Sequence, residues 1–184
     1  MNAIEQLLSR RSHNQLTAPA PTNDQLEIMF KAALRAPDHG ALKPWRFKVY
    51  TGQSLVELGE LFLKATLKDS PDLSIEKQDK VRNKPLRAPM LVIASVVIKE
   101  HKVPKIEQLL SGAASVQNLI MAAHFQNVGA MWRTGDLTYN LYLKELLGYD
   151  DNEEIIGFVY LGTEKGIKRD ARQLVIKDYV SLYQ

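Results

Sequence analysis

A mixed helix-and-strand domain is what this sequence predicts, and three stretches carry the expectation. Met90 to Ile98, MLVIASVVI, is an unbroken apolar run opened by Pro89, as expected of a strand covered on both faces. Pro104 to Asn127 keeps apolar residues at helical spacing, with proline at its start and Gly129 just past its end. Between them in character lies Arg35 to Phe47, RAPDHGALKPWRF, where a helical pattern stops at Ala36 and a strand-like alternation begins after Pro44.

The remaining elements follow in order. Ile4, Leu7 and Leu8 mark a short amphipathic helix closed by the polar run Ser9 to Gln15. After the arm TAPAPT, Thr22 and Gln25 form a capping box, and Leu26, Met29, Phe30 and Ala33 follow at helical spacing. Phe47 to Thr51 reads as a strand with Phe47 and Val49 on one face and Lys48 and Tyr50 on the other. Leu55 to Leu67 reads as a helix turning Leu58, Leu61, Phe62 and Ala65 inward. Lys68 to Lys84 is charged and turn-rich, a mobile region with a short helix over Ser74 to Arg82.

The long helix from Pro104 carries one stripe of Ile106, Leu109, Leu110, Ala113, Gln117, Ile120 and His124, while Val116, Leu119 and Ala123 fall outside it. A helix apolar on more than one side is central or meets a second subunit. Its run Ser111-Gly112-Ala113-Ala114-Ser115 would let another backbone come close. Gly129 to Arg133 is a brief strand, Tyr139 to Leu147 a helix ended by Gly148, and Ile155 to Gly162 the last strand. The tail is basic as far as Arg172 and ends in DYVSLYQ.

Composition narrows the functions. The 184 residues suit one domain spanning residues 1–184, large enough to bury a core. A net charge of +3 from 24 basic and 21 acidic residues suits a small anionic ligand and lacks the basic stripe of a nucleic-acid binder. There is no cysteine, which removes disulfides, thiolate nucleophiles and thiolate metal sites together. His13, His39, His101 and His124 have no metal-ligand spacing, so no metal is expected. With no signal-peptide pattern and no run long enough to span a bilayer, a cytoplasmic protein with no membrane partner is expected. Dinucleotide-fold glycines, a P-loop, a zincin helix and a nucleophile elbow are all missing from the sequence.

Three patches could carry chemistry. Arg10-Arg11-Ser12 offers guanidinium forks and a hydroxyl suited to phosphate; cations capping a helix C-terminus is an equal reading. Trp132-Arg133-Thr134-Gly135 follows a strand, where Arg133 could meet an electron-rich carbonyl; a core tryptophan is the other reading. The third is the loop carrying Arg35 and His39, which a structural connection would also explain.

Taken together, R-R-S on a first helix, R-A-P followed by K-P-W-R-F, a long helix running into G-A-M-W-R-T-G, and L-L-G-Y…I-I-G-F-V-Y-L-G-T form a recognisable series. In it the chain resembles the small flavin-dependent nitroreductases, from Ile4 to about Thr163. The resemblance implies an α+β fold, a mainly antiparallel sheet flanked by helices, in an intertwined homodimer with FMN at the subunit interface. It places Arg10, Arg11 and Ser12 on the FMN phosphate and ribityl side, with Trp132, Arg133 and Thr134 along the flavin. Arg35 and His39 would reach the FMN of the other subunit. Ala122, Ala123, His124, Phe125, Gln126 and Asn127 match the stretch expected near NADH or NADPH, with helix packing as the competing explanation.

The implied activity is NAD(P)H oxidation coupled to reduction of nitro compounds, quinones or similar acceptors, in ping-pong order through bound FMN. No side chain is then needed as a nucleophile. Two other readings stay open: a flavin-binding module without turnover, and a non-flavin nucleotide-binding α/β protein. Larger relatives have a neutral amide where this chain has Lys43, and basic residues near the C-terminus on the phosphate, a role Lys168 and Arg169 could fill.

Overall fold

The computed structural model describes residues 2–166 and 174–183. Helix α1 (Ala3–Ser9) opens with a capping box in which the Asn2 side chain accepts from the Glu5 N–H and the Glu5 carboxylate accepts from the Asn2 N–H. After the two-residue strand β1 (Leu16–Thr17), the expected Thr22–Gln25 box starts α2 (Asn23–Ala33), with its two bonds at 2.9 and 3.2 Å. Regular helix ends three residues before the expected Ala36. Arg35 and Ala36 donate instead to the carbonyls three residues back, so the chain tightens before Pro37.

Beyond the turn at His39–Ala41 come β2 (Trp45–Thr51), α3 (Gln53–Asp69), α4 (Ile75–Arg82), β3 (Met90–Val97) and α5 (Lys105–Phe125). Then follow β4 (Gly129–Arg133), α6 (Asp136–Tyr139), α7 (Leu141–Leu146) and β5 (Glu153–Glu164). The single helix expected over Tyr139 to Leu147 is two short ones. Asn140 separates them, since its side chain leaves the helix to accept the Leu143 N–H at 2.6 Å.

All strand pairs are antiparallel. β3 pairs with β2 from Trp45↔Val96 to Thr51↔Met90, and with β5 from Met90↔Leu161 onward. β4 pairs with β5 from Gly129↔Gly162 to Arg133↔Phe158. Residues 158–161 of β5 thus face both β3 and β4, which must lie on its opposite edges. β1 adds to the end of β5 at Glu164 and Thr163.

β3 is buried along nearly its whole length, as its composition demands. Its period of two splits the core into two layers: Leu91 and Ile93 pack with Phe62, Leu58 and Leu143 of α3 and α7, while Met90, Val92 and Ala94 pack with Met29, Val116 and Leu119 of α2 and α5. The sheet therefore lies between two helical layers.

α5 sets mainly the residues outside the expected stripe against the rest of the protein. Val116, Leu119 and Ala123, with Gln108, Ser111, Gly112 and Ser115, face the protein, whereas Ile106 and Leu110 are 59% and 60% exposed. The small residues decide this. A Cβ on Gly112 would lie 2.3 Å from Val96 Cγ2, and the Ser115 hydroxyl donates to the Ala33 carbonyl at 2.8 Å. The close approach anticipated for this run is thus to the sheet and α2 of the same chain. α4 is likewise docked: a Cβ on Gly59 would lie 2.2 Å from the Arg82 carbonyl oxygen.

Candidate functional site

The segment after α1 is tied to β4. His13 donates its N–H to the Ala130 carbonyl at 3.0 Å, and Ala130 donates its N–H to His13 Nδ1 at 3.2 Å. An accepting Nδ1 leaves the ring hydrogen on Nε2, which sits 3.4 Å from Glu164 Oε1. Arg11 Nη2 reaches the same carboxylate oxygen at 2.8 Å. Burial lowers the His13 pKa, with Glu164 opposing and Arg11 reinforcing the shift. His124 Nε2 lies 3.1 Å from the Ser9 hydroxyl, and burial lowers its pKa too; a hydrogen bond to the Gln6 backbone opposes this and the Arg10 and Arg11 charges add to it.

These groups border a cleft of about 560 Å³ that also meets Phe125 and Asn127. Ser12 borders an adjoining cleft of about 360 Å³ shared with Arg11 and Glu164. Arg10, at the C-cap of α1, is half-buried. The structure therefore brings the Arg10–Ser12 patch and the end of α5 together, but unevenly. Ala122 and Ala123 are 8% and 0% exposed and pack in the core. Gln126 uses its amide on the Ala122 and Gln25 carbonyls, linking α5 to α2. Of the stretch from Ala122 to Asn127, His124, Phe125 and Asn127 reach the cleft.

Trp132 to Gly135 lie elsewhere, at the far end of β4. The Trp132 indole N–H donates to the Ile156 carbonyl at 3.1 Å, with the ring lying against Gly157. Gly157 has φ +146°, and a Cβ there would meet Trp132 Nε1 at 2.2 Å, so only glycine fits. Arg133, Thr134 and Gly135 edge a cleft of about 330 Å³ with Phe62, Phe158 and Tyr160 on its floor. The Arg133 guanidinium lies 5.9 Å from the Tyr160 ring centroid.

Two cations at this cleft, Lys84 and Arg87, escape sequence reading. Lys84 precedes and Arg87 ends the short turn at Pro85–Arg87, and only the pairing of β3, β5 and β4 brings that turn to Arg133. Burial lowers the Lys84 pKa, Arg87 adds to the shift, and Asp136 opposes it. Burial raises Tyr160, against the Arg87 and Arg133 charges. The sequence signal was a K-P-x-R spacing immediately before a buried strand.

The Arg35 loop forms a third cleft, about 530 Å³, with Arg35, Asp38 and Lys43 at its rim and Trp45 and Ala36 beneath. His39 does not border it; its Nδ1 is paired with Glu107 at the start of α5. The three patches thus occupy separate clefts of one chain. Lys168 and Arg169 lie outside the described residues. No helix among the described residues is long and apolar enough to cross a membrane.

An antiparallel sheet between two helical layers is the nitroreductase-like α+β architecture. The chain belongs to the Nitroreductase family, whose model matches residues 7–163. Two relatives are each named "Putative NAD(P)H nitroreductase". YdjA of Escherichia coli (strain K12) is 39% identical over 165 residues, 89% of this chain and 88% of YdjA. A protein of Haemophilus influenzae is 40% identical over 185 residues, covering 98% of this chain and 99% of its own. Among solved structures, the FMN and NADPH-dependent nitroreductase NfnB (mutant Y88A) of Sphigopyxis sp. strain HMH superposes with a TM-score of 0.80 at 14% identity, covering 99% of each chain.

Proposed function

We propose that this chain is an FMN-dependent NAD(P)H oxidoreductase that reduces nitro compounds, quinones or similar acceptors, with its flavin held between two copies of one 184-residue domain. The observation that carries the reading is the cleft beside Arg133, an aromatic floor with three cations, Lys84, Arg87 and Arg133, and one carboxylate, Asp136, around it. Its chemistry fits the flavin: an apolar floor for a flat ring, and cations for an edge that becomes electron-rich. Bound FMN would supply the redox step, taking electrons from NADH or NADPH and passing them to an acceptor that enters the same pocket afterwards. The names borne by relatives at 39–40% identity support that donor and reaction class.

The protein's own part is binding, orientation and charge balance. Arg10, Arg11 and Ser12 would meet the phosphate and ribityl chain, the pull of Glu164 on Arg11 leaving Arg10 as the main phosphate partner. Lys84, Arg87 and Arg133 would offset negative charge at the ring's pyrimidine edge. Trp132 and Thr134 would line the ring from the same chain, and His124, Phe125 and Asn127 would meet the nicotinamide cofactor. Arg35 and His39 would come from the partner copy.

Two observations support a shared site. The cleft of the Arg35 loop is separate from those beside Arg133 and Arg11, the arrangement expected if that loop serves the flavin of a partner copy. Exposed apolar faces also await cover: Ile4 and Leu8 on α1, Ile106 and Leu110 on α5, and Leu182 and Tyr183 near the C-terminus. A twofold pair of chains would bury such faces against one another.

The test is an absorbance spectrum of the purified protein followed by anaerobic mixing with NADH or NADPH. Flavin absorbance that bleaches and returns on adding a nitroarene supports the reading. A colourless protein that takes up no FMN contradicts it, and a coloured protein that oxidises neither nicotinamide is a binding module.

A further inference from the structure

We infer that Lys43 makes this protein select acceptors that carry an anionic group beside the reducible ring, an aromatic carboxylate being the simplest. The inference rests on the reading that the Arg35 loop faces the FMN of the partner copy. It starts from how Lys43 is held. Its φ is +50°, a left-handed conformation that residues with a Cβ seldom adopt and that persists only where the surroundings impose it. Three contacts impose it here. The Asp38 carboxylate accepts the Lys43 N–H at 2.6 Å, Arg46 Nη1 donates to the Lys43 carbonyl at 3.0 Å, and Lys99 Nζ donates to the Leu42 carbonyl at 2.7 Å. Those partners come from the loop itself, from β2 and from the segment after β3, so the turn is fixed by most of its surroundings.

The result is a cation on the rim of a cleft of about 530 Å³ whose floor is Ala36 and the buried indole of Trp45. Arg35 supplies a second positive charge at the rim, and Asp38, whose carboxylate accepts the Lys43 N–H, one negative charge, so the rim is positive by one charge. A flat ring on the floor would leave its substituent within reach of the ammonium. Lysine is a compact point charge, suited to one carboxylate; a phosphate is met more fully by forked guanidinium and backbone donors. The Lys43 corner of the cleft therefore suits an arene carboxylate, while the Arg35 fork on the same rim makes the 2′-phosphate of NADPH the rival occupant that the titrations separate.

Purified holoprotein and its Lys43→Gln and Lys43→Arg variants would be titrated calorimetrically with benzoate and benzamide, which are not reduced, and with adenosine 2′-monophosphate and adenosine. The expected result is benzoate binding about tenfold tighter than benzamide, a preference lost in Lys43→Gln and largely kept in Lys43→Arg. The ratio of kcat/KM for 4-nitrobenzoate over 4-nitrobenzamide should fall in parallel. Equal binding of benzoate and benzamide, or a preference that survives Lys43→Gln, overturns the inference. So does discrimination confined to the adenosine pair, which would assign Lys43 to the electron donor. Flavin absorbance of the same samples reports separately on the cofactor reading.

Discussion

Gly157→Ala is the sharpest single perturbation of the wall formed by β4. The new methyl would sit 2.2 Å from Trp132 Nε1 and 2.8 Å from the Arg133 carbonyl oxygen, so both the indole and the backbone beyond it must move. Forcing an extra carbon into a packed site costs roughly 1–3 kcal/mol. Pulling the indole N–H off the Ile156 carbonyl leaves a part-buried donor unmet, about 1–3 kcal/mol more. The positive φ of Gly157 adds strain for any residue with a Cβ. Together these give about 2–6 kcal/mol before that strain is added, to be read from urea unfolding followed by circular dichroism, with reduced FMN occupancy because Arg133 and Thr134 shift. Trp132→Ala gives the control. In that background the clash with the ring is gone, and Gly157→Ala should cost visibly less, a coupling read from a double-mutant cycle. A Gly157→Ala protein within about 0.5 kcal/mol of wild type, below the usual range for such mechanisms, would refute the geometry.

Arg10→Ala should weaken FMN binding about ten- to a hundredfold, the worth of a charge-assisted phosphate contact, while riboflavin binding changes little; equal loss for both flavins, measured by fluorescence titration, would make Arg10 structural. Acid should destabilise the fold through His13. Burial lowers its pKa in the folded chain, so the unfolded chain binds more protons and stability falls as pH drops below the ordinary value near 6.5. His13→Gln should flatten that part of a melting-temperature profile, and an unchanged slope would remove His13 from the account.

Much of the scaffold was legible because local and tertiary signals agreed. The Thr22–Gln25 box, the doubly buried β3 and the bounds of β4 all rest on patterns that need no distant partner. Which face of α5 meets the sheet was not legible, for a definite reason. With apolar residues on several sides, periodicity finds the stripes but not which of them meets the sheet. Gly112 and Ser115, small enough to seat on Val96 and the Ala33 carbonyl, settle the choice and leave Ile106 and Leu110 outside. The candidate site was half legible. Arg10, Arg11, Ser12 and Arg133 stand in short motifs, whereas Lys84 and Arg87 become neighbours of Arg133 only through the order of β3, β5 and β4. Contiguity groups Ala122, Ala123 and Gln126 with His124, Phe125 and Asn127, although only the latter three border the cleft. A helix places consecutive residues on different faces, and the first three turn toward the core or toward α2.

The central claim is that one flavin is served by two chains, and subunit mixing tests it most directly. Chains carrying Arg10→Ala would be combined with chains carrying His39→Ala, each pair inactive as its own homodimer. In a shared site both lesions of a mixed dimer fall at one FMN and the other FMN keeps an intact set, so about half the native activity per mixed dimer should return by twofold symmetry. If both residues serve the FMN of their own chain, every site in the mixture carries one lesion. No activity would then be regained, and the Arg35 loop would be a structural connection.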